Sequence, residues 1–310
     1  SLGRTLAILG GVSGGHVNGD WLGRLSRAER DMWGAVTDRD VADAATLRTA
    51  TFKVVDHEQS NFVSSEFSLK DSIRLASSPI DVFVENRIND ALFLHAMAHI
   101  TSSRAMADLV KRNIISFRHG GGIGDIRVQL EEDINNDPLR AVFTYVMFDS
   151  DSLSKNYVSR NAILLEDLCK KHSVKHLRLV RRAIENYIPI AALYDYINNN
   201  YSYDGRAPLR RLTDALKALT VEQRAYFPMK AGLPKVRHPD EDDLYKALSA
   251  QALDDLQLKY PEKMAAKIYG QTDEALMHRL RGQIEKDDAK IEVRRAVSEI
   301  LELARAPIDA

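Results

Sequence analysis

The chain has 310 residues, 45% of them hydrophobic and 28% charged, which excludes a disordered chain and leaves room for one large domain or two ordinary ones. A formal net charge of −1 means that any contact with nucleic acid must come from a local basic patch, because the overall charge gives no attraction. One cysteine, Cys169, excludes both an intramolecular disulfide and a cysteine-built zinc site, and suits a reducing compartment.

In chain order, residues 1–78 are hard to read and are expected to form an N-terminal region of uncertain fold. The opening apolar stretch soon meets Asp20, Arg24, Arg27 and Glu29, too early for a secretion signal, and no run is long enough to cross a bilayer. The expected setting is therefore cytoplasmic, with no membrane partner. The segment Gly10–Gly15 (GGVSGG) lacks the lysine of a P-loop and the spacing of a dinucleotide fingerprint, so it reads as a turn or surface loop. Arg27–Ala45 reads as a charged helix and Thr51–Val55 as a strand.

Beyond Pro79 the pattern sharpens. Ile80–Val84 is a short β-branched run, as a buried strand requires. A helical pattern covers Asp90 to Arg112, and Ile114–Phe117 reads as the next strand, stopped by Gly120, Gly121 and Gly122. Helix over Asp125–Asp133, strand over Ala141–Phe148, helix over Val158–Lys171 and strand over His176–Val180 complete the alternation. Strands alternating with helices predict an α/β domain over residues 79–190 with a mostly parallel sheet flanked by helices. Residues 191–310 read as mainly helical: Ile190–Asn198, Leu209–Leu219, Asp242–Leu258, Asp273–Lys286 and Ile291–Ala304. Between them lies the apolar, proline-broken stretch Tyr226–Pro234 (YFPMKAGLP).

Ligands of parallel sheets gather at the carboxyl ends of the strands, and Glu85, the glycine triplet and Asp149 all fall there. Asp149 and Asp151, in Phe-Asp-Ser-Asp-Ser, present two carboxylates at a strand tip; oxygen ligands of this kind suit Mg²⁺ or Mn²⁺. The same residues also suit a turn that caps the following helix. Glu85, after an apolar strand, suits a metal ligand, a general base or a solvated loop glutamate. Arg181 and Arg182, followed by Glu185 and Tyr187, suit either a phosphate-binding and base-stacking edge or a charged connection closed by Pro189.

Taken together, these segments resemble the Toprim domain of OLD-type nucleases and of stand-alone Toprim effectors in anti-phage systems, such as those of PARIS type or of retrons. The apolar strand ending in Val84-Glu85 matches the family's first signature, His119–Ile126 (HGGGIGDI) its glycine-rich turn, and Val146–Asp151 (VMFDSD) its Asp-x-Asp. Arg181–Pro189 resembles the Arg-x-x-x-Glu-Asn-Tyr segment of the stand-alone group, and Lys230 its downstream lysine. Asn86 stands where the family has glycine, and one extra residue separates Glu85 from Asp90, which leaves Asp90 outside the expected site.

The resemblance implies a metal-dependent nuclease cutting DNA or RNA, tRNA included, beside an ABC or SMC-like ATPase and able to form a homodimer. It implies Mg²⁺ or Mn²⁺ held by Glu85, Asp149, Asp151 and Glu185, with Lys230 as a catalytic lysine. Arg181, Arg182, Gly120, Gly121 and Gly122 would contact the nucleic-acid backbone. Two other readings fit some of the same residues. A haloacid-dehalogenase-like phosphatase also uses Asp-x-Asp, but on its first strand, and a catalytically inactive Toprim-like module would bind without cutting.

Overall fold

The computed structural model describes residues 53–55, 58–62, 64, 66–100, 105–271, 277, 278, 280–282 and 289–305, together with Arg27. The GGVSGG segment, almost all of the expected helix at Arg27–Ala45 and most of that at Asp273–Lys286 lie outside the described residues. The chain divides into one compact unit of residues 1–79 with 301–310, and a second of residues 80–300.

In the first unit, β1 (Lys53–Val55) pairs in parallel with β2 (Glu66–Ser68), and α1 (Leu69–Ser77) follows directly. Ser68 starts this helix, its hydroxyl accepting from the Asp71 N–H at 3.2 Å. β2 and α1 are not anticipated from the sequence, because three-residue strands carry too little pattern to read.

The second unit is α/β. Its sheet contains β3 (Ile80–Val84), β4 (Ile115–His119), β5 (Thr144–Phe148) and β6 (Lys175–Arg178), all parallel, in the spatial order β4-β3-β5-β6. Every residue of β3 and β5 is buried, as expected of central strands covered on both faces. Helices α2 (Asn89–Ile100) and α3 (Ala105–Lys111) lie between β3 and β4 in the chain, α4 (Ile123–Asn136) between β4 and β5, and α5 (Arg160–Lys171) between β5 and β6. Ile126 and Leu130 of α4 and Leu165 and Cys169 of α5 share a core with Phe83, Val146 and Phe148 on one sheet face. Side chains alternate along a strand, so Tyr145 faces the other way. There its hydroxyl meets Glu299 of α12 (Ala289–Arg305) at 3.1 Å.

Several boundaries differ from the sequence reading, each for a local reason. The long helix expected over Asp90–Arg112 is two helices, the second followed by Asn113 at φ 56°. β5 begins at Thr144 because Pro138–Phe143 forms a 3-10 turn, capped by the Asp137 carboxylate on the Leu139 N–H at 3.3 Å. β6 runs over Lys175–Arg178 rather than His176–Val180.

The helical C-terminal part contains α6 (Ile190–Asn200), α7 (Tyr203–Ala218), α8 (Val221–Tyr226), α9 (Pro239–Tyr245), α10 (Ala250–Leu256) and α11 (Met264–Tyr269). The helix expected over Asp242–Leu258 is thus α9 and α10, with Ser249 capping the second through the Ala252 N–H at 3.2 Å. Among the described residues no helix is long and apolar enough to cross a membrane.

Candidate active site

The sheet order fixes where a site can form. From β3 the chain goes to β4 on one side, then returns past β3 to β5 and β6 on the other. The carboxyl ends of β3 and β5 therefore flank the point where the connections diverge, the place where ligands of open α/β sheets bind. Glu85 follows β3, and Asp149 follows β5. Their link is direct: Glu85 Oε1 accepts from the Asp149 backbone N–H at 2.8 Å.

Asp90 corrects the sequence reading, because it belongs to the same cluster. Its Oδ2 accepts from the Asn86 N–H at 2.9 Å, while Asn86 Oδ1 accepts from the N–H groups of Ile88 and Asn89, both at 3.0 Å. This reciprocal capping takes up the extra residue and starts α2 with the buried Asp90 carboxylate beside the site.

Asp149 Oδ1 accepts from the Ile184 N–H at 3.2 Å, which brings in the turn Ile184–Tyr187 and with it Glu185. Glu185 is 2% exposed, and its Oε2 has no hydrogen-bond or ion-pair partner among the described residues. Lys230 Nζ lies 3.2 Å from Glu185 Oε1, with the lysine side chain about half exposed. Asp151 is exposed, at φ 48°, its N–H donating to the Arg182 carbonyl at 3.1 Å.

The charges are unbalanced, and the acidities record it. Burial first, then the charges of Asp90 and Asp151, push the Glu85 carboxyl up to about 7, against the pull of the Asp149 N–H and Lys230. Asp90 is pushed up to about 6, by burial first and by Glu185, while the Asn86 N–H and Lys230 oppose. Asp149 stands well above the usual carboxylate range, through burial and then the charges of Glu85, Asp90 and Glu185. Burial lowers Lys230, but Glu185, Asp149 and Asp90 outweigh it and raise its pKa.

The glycine turn is built for close packing. A side chain on Gly120 would put Cβ 2.0 Å from Ile126 Cγ1, and Gly121 and Gly122 have φ of 81° and 137°. The Gly120 N–H donates to the Val84 carbonyl at 3.1 Å, which joins the turn to the end of β3. The arginine pair is engaged within the protein. Arg181 Nη1 donates to the Asn186 carbonyl at 2.6 Å, with its guanidinium 4.9 Å from the Tyr187 ring centre. Arg182 Nη1 donates to the Tyr226 carbonyl at 3.3 Å and pairs with the buried Glu241 at 3.1 Å.

Among the described residues no three His, Cys, Asp or Glu side chains stand in an arrangement that would hold a metal ion as they are. The donor chemistry nevertheless fits a hard divalent cation: oxygen ligands only, most of them wholly or partly buried, an ammonium among several carboxylates, and a Glu185 Oε2 that no described group engages. No protein-family model, no curated protein and no solved structure matches this chain.

Proposed function

We propose that the chain is a metal-dependent nuclease that hydrolyses phosphodiester bonds at the Glu85–Asp149–Glu185 cluster. The observation that carries this reading is the gathering of Glu85, Asp90, Asp149 and Glu185 around the ammonium of Lys230. Uncompensated carboxylates are costly to bury, and a divalent cation is the partner that removes the cost. Glu85, Asp149 and Glu185, with Asp90 and Asp151 beside them, would hold Mg²⁺ or Mn²⁺. When bound, such an ion polarises a phosphodiester and acidifies a water.

The chain's own residues supply the rest. Lys230 offers a half-exposed cation to a phosphate oxygen, close to the carboxylates. Alternatively Glu85 serves as the general base rather than as a ligand, its carboxyl lying near 7 in the metal-free chain. The Asp149 N–H keeps one of its oxygens fixed at 2.8 Å. The resemblance to stand-alone Toprim proteins extends the reading to an anti-phage effector, cutting DNA or tRNA in the cytoplasm beside an ABC or SMC-like ATPase.

The test is cleavage of DNA and of tRNA by the purified chain with Mg²⁺, with Mn²⁺, and with excess chelator, alone and with the neighbouring ATPase. The expected result is cutting that needs the metal and disappears in Glu85→Gln. Cutting that survives excess chelator would overturn the reading. So would release of phosphate from small phosphomonoesters without any cleavage of nucleic acid, which would point to a phosphatase.

A further inference from the structure

Glu185 and Lys230 come from segments far apart in the chain, and the side chain of Asn186 ties those segments together. Asn186 is buried beside Glu185. Its Nδ2 donates to the carbonyls of Arg224 at 2.9 Å and Phe227 at 2.8 Å, and its Oδ1 accepts from the Ala183 N–H at 3.0 Å. Two donors and an acceptor on one short side chain are what an amide supplies and a carboxylate of the same shape does not.

The Phe227 carbonyl opens the turn that carries Lys230. It also accepts from the Met229 N–H at 2.9 Å, and the Pro228 carbonyl accepts from Ala231 at 3.0 Å and Gly232 at 2.7 Å. The far side of the turn is pinned as well, by Tyr260 N–H on the Met229 carbonyl at 3.0 Å and Leu233 N–H on Leu256 at 2.7 Å. Gly232 sits at φ 71°, where an added Cβ would meet the Gln257 carbonyl at 2.4 Å, so the backbones are already in close approach. Behind Asn186, Arg181 holds its carbonyl at 2.6 Å. One residue therefore joins the turn that bears Glu185 to the turn that bears Lys230.

We infer that Asn186 is a positioning residue: by holding the Phe227–Gly232 turn it sets the Lys230 ammonium against Glu185 and Asp149. The kinetic part of this inference rests on the nuclease reading; the structural part does not. Asn186→Asp preserves the shape and the acceptor toward Ala183 while removing both donors.

Amide hydrogen exchange on the full chain reads the first consequence. Amides of Met229–Leu233 should exchange about 10-fold faster or more in Asn186→Asp, with β3 and β5 unchanged. Cleavage reads the second. A displaced lysine should cost about 100-fold in rate, and the Asn186→Asp/Lys230→Ala double variant should be no slower than Lys230→Ala alone.

A turn whose exchange does not change overturns the inference. So does exchange that quickens uniformly through residues 80–300, which marks a general structural role, and so do kinetic losses that multiply in the double variant. If Asn186→Asp does not accumulate as folded protein, Asn186→Ser, smaller and with a single donor, carries the same measurements. A wild-type chain that cuts no nucleic acid would end the nuclease reading, while the exchange rates would still decide whether Asn186 holds the turn.

Discussion

Two acids, Asp81 buried within a strand and Glu85 partly buried at its end, have opposite surroundings. Asp81 lies within β3, 5% exposed, and its Oδ2 meets Arg140 Nη1 at 2.8 Å and Arg118 Nη1 at 3.5 Å. Arg118 also pairs with Asp133, and its guanidinium lies 4.4 Å from the Phe83 ring centre. There two arginines serve two aspartates, and the charges close within the protein. At the strand's carboxyl end, Glu85 shares its space with Asp90, Asp149 and Glu185, and Lys230 is the cation they share. Burial raises the pKa of Asp81 as it does that of Glu85, with the arginines opposing. The shift alone therefore does not separate the two clusters; the charge balance does. A balanced cluster closes its charges within the fold, whereas an unbalanced one is relieved by protons or by a cation from outside.

The sharpest way to break this comparison is to neutralise one acid in each cluster. Asp149→Asn should reduce cleavage at least about 1,000-fold, measured under single-turnover conditions with Mn²⁺. Its thermal stability without metal should hold or rise, since a repelling charge is gone. Asp81→Asn should do the reverse. Urea unfolding should show a loss of about 1–2 kcal/mol, the usual cost of a broken buried pair being reduced because the arginines are partly exposed, with a rate per folded molecule within about threefold of wild type. A stable Asp81→Asn together with a destabilised Asp149→Asn would invert the assignment.

The pH dependence of stability sharpens it further. A carboxyl whose folded pKa lies above its unfolded value keeps its proton in the folded state while the unfolded state loses it, so stability falls as pH rises between the two. For Glu85 the window runs from 4.5 to about 7, and Asp90 adds to it between 3.8 and about 6. The metal-free chain should therefore lose about 1–3 kcal/mol between pH 5 and pH 8 through this cluster. Comparing unfolding of the wild type with Glu85→Gln at both pH values isolates the contribution. A difference between the two proteins that is the same at pH 5 and pH 8 would mean that the cluster is not charge-frustrated.

What could be read from the sequence, and what could not, follows the same physics. β3 and β5 announce themselves because a central parallel strand is apolar on both faces, and the residue after each, Glu85 or Asp149, is then conspicuous. Lys230 and Glu185 were reachable through resemblance alone, since nothing in their spacing predicts a 3.2 Å approach. Asp90 matches the resembled family's later acid one residue out of step, and the Asn86 N–H that holds its carboxylate at the cluster is a contact visible only in three dimensions. For Arg181 and Arg182 the sequence shows charge and leaves both readings open, because the carbonyls of Asn186 and Tyr226 that engage them are visible only in the fold. Asn186 enters the sequence reading only as part of the Glu-Asn-Tyr segment and with no role of its own, since a buried amide matters through its partners.

The central claim is that the cluster at the ends of β3 and β5 is a cation site built from uncompensated carboxylates. Isothermal titration of Mn²⁺ into the metal-free chain at pH 7.5 tests it most directly, with Glu85→Gln and Asp81→Asn titrated alongside. Saturable binding to the wild type and to Asp81→Asn is expected, weakened at least about 10-fold in Glu85→Gln, with an observed heat that varies linearly with the ionisation heat of the buffer, the slope giving the protons released. A folded wild-type chain that takes up no Mn²⁺, or Glu85→Gln binding it as tightly as wild type, would contradict the account.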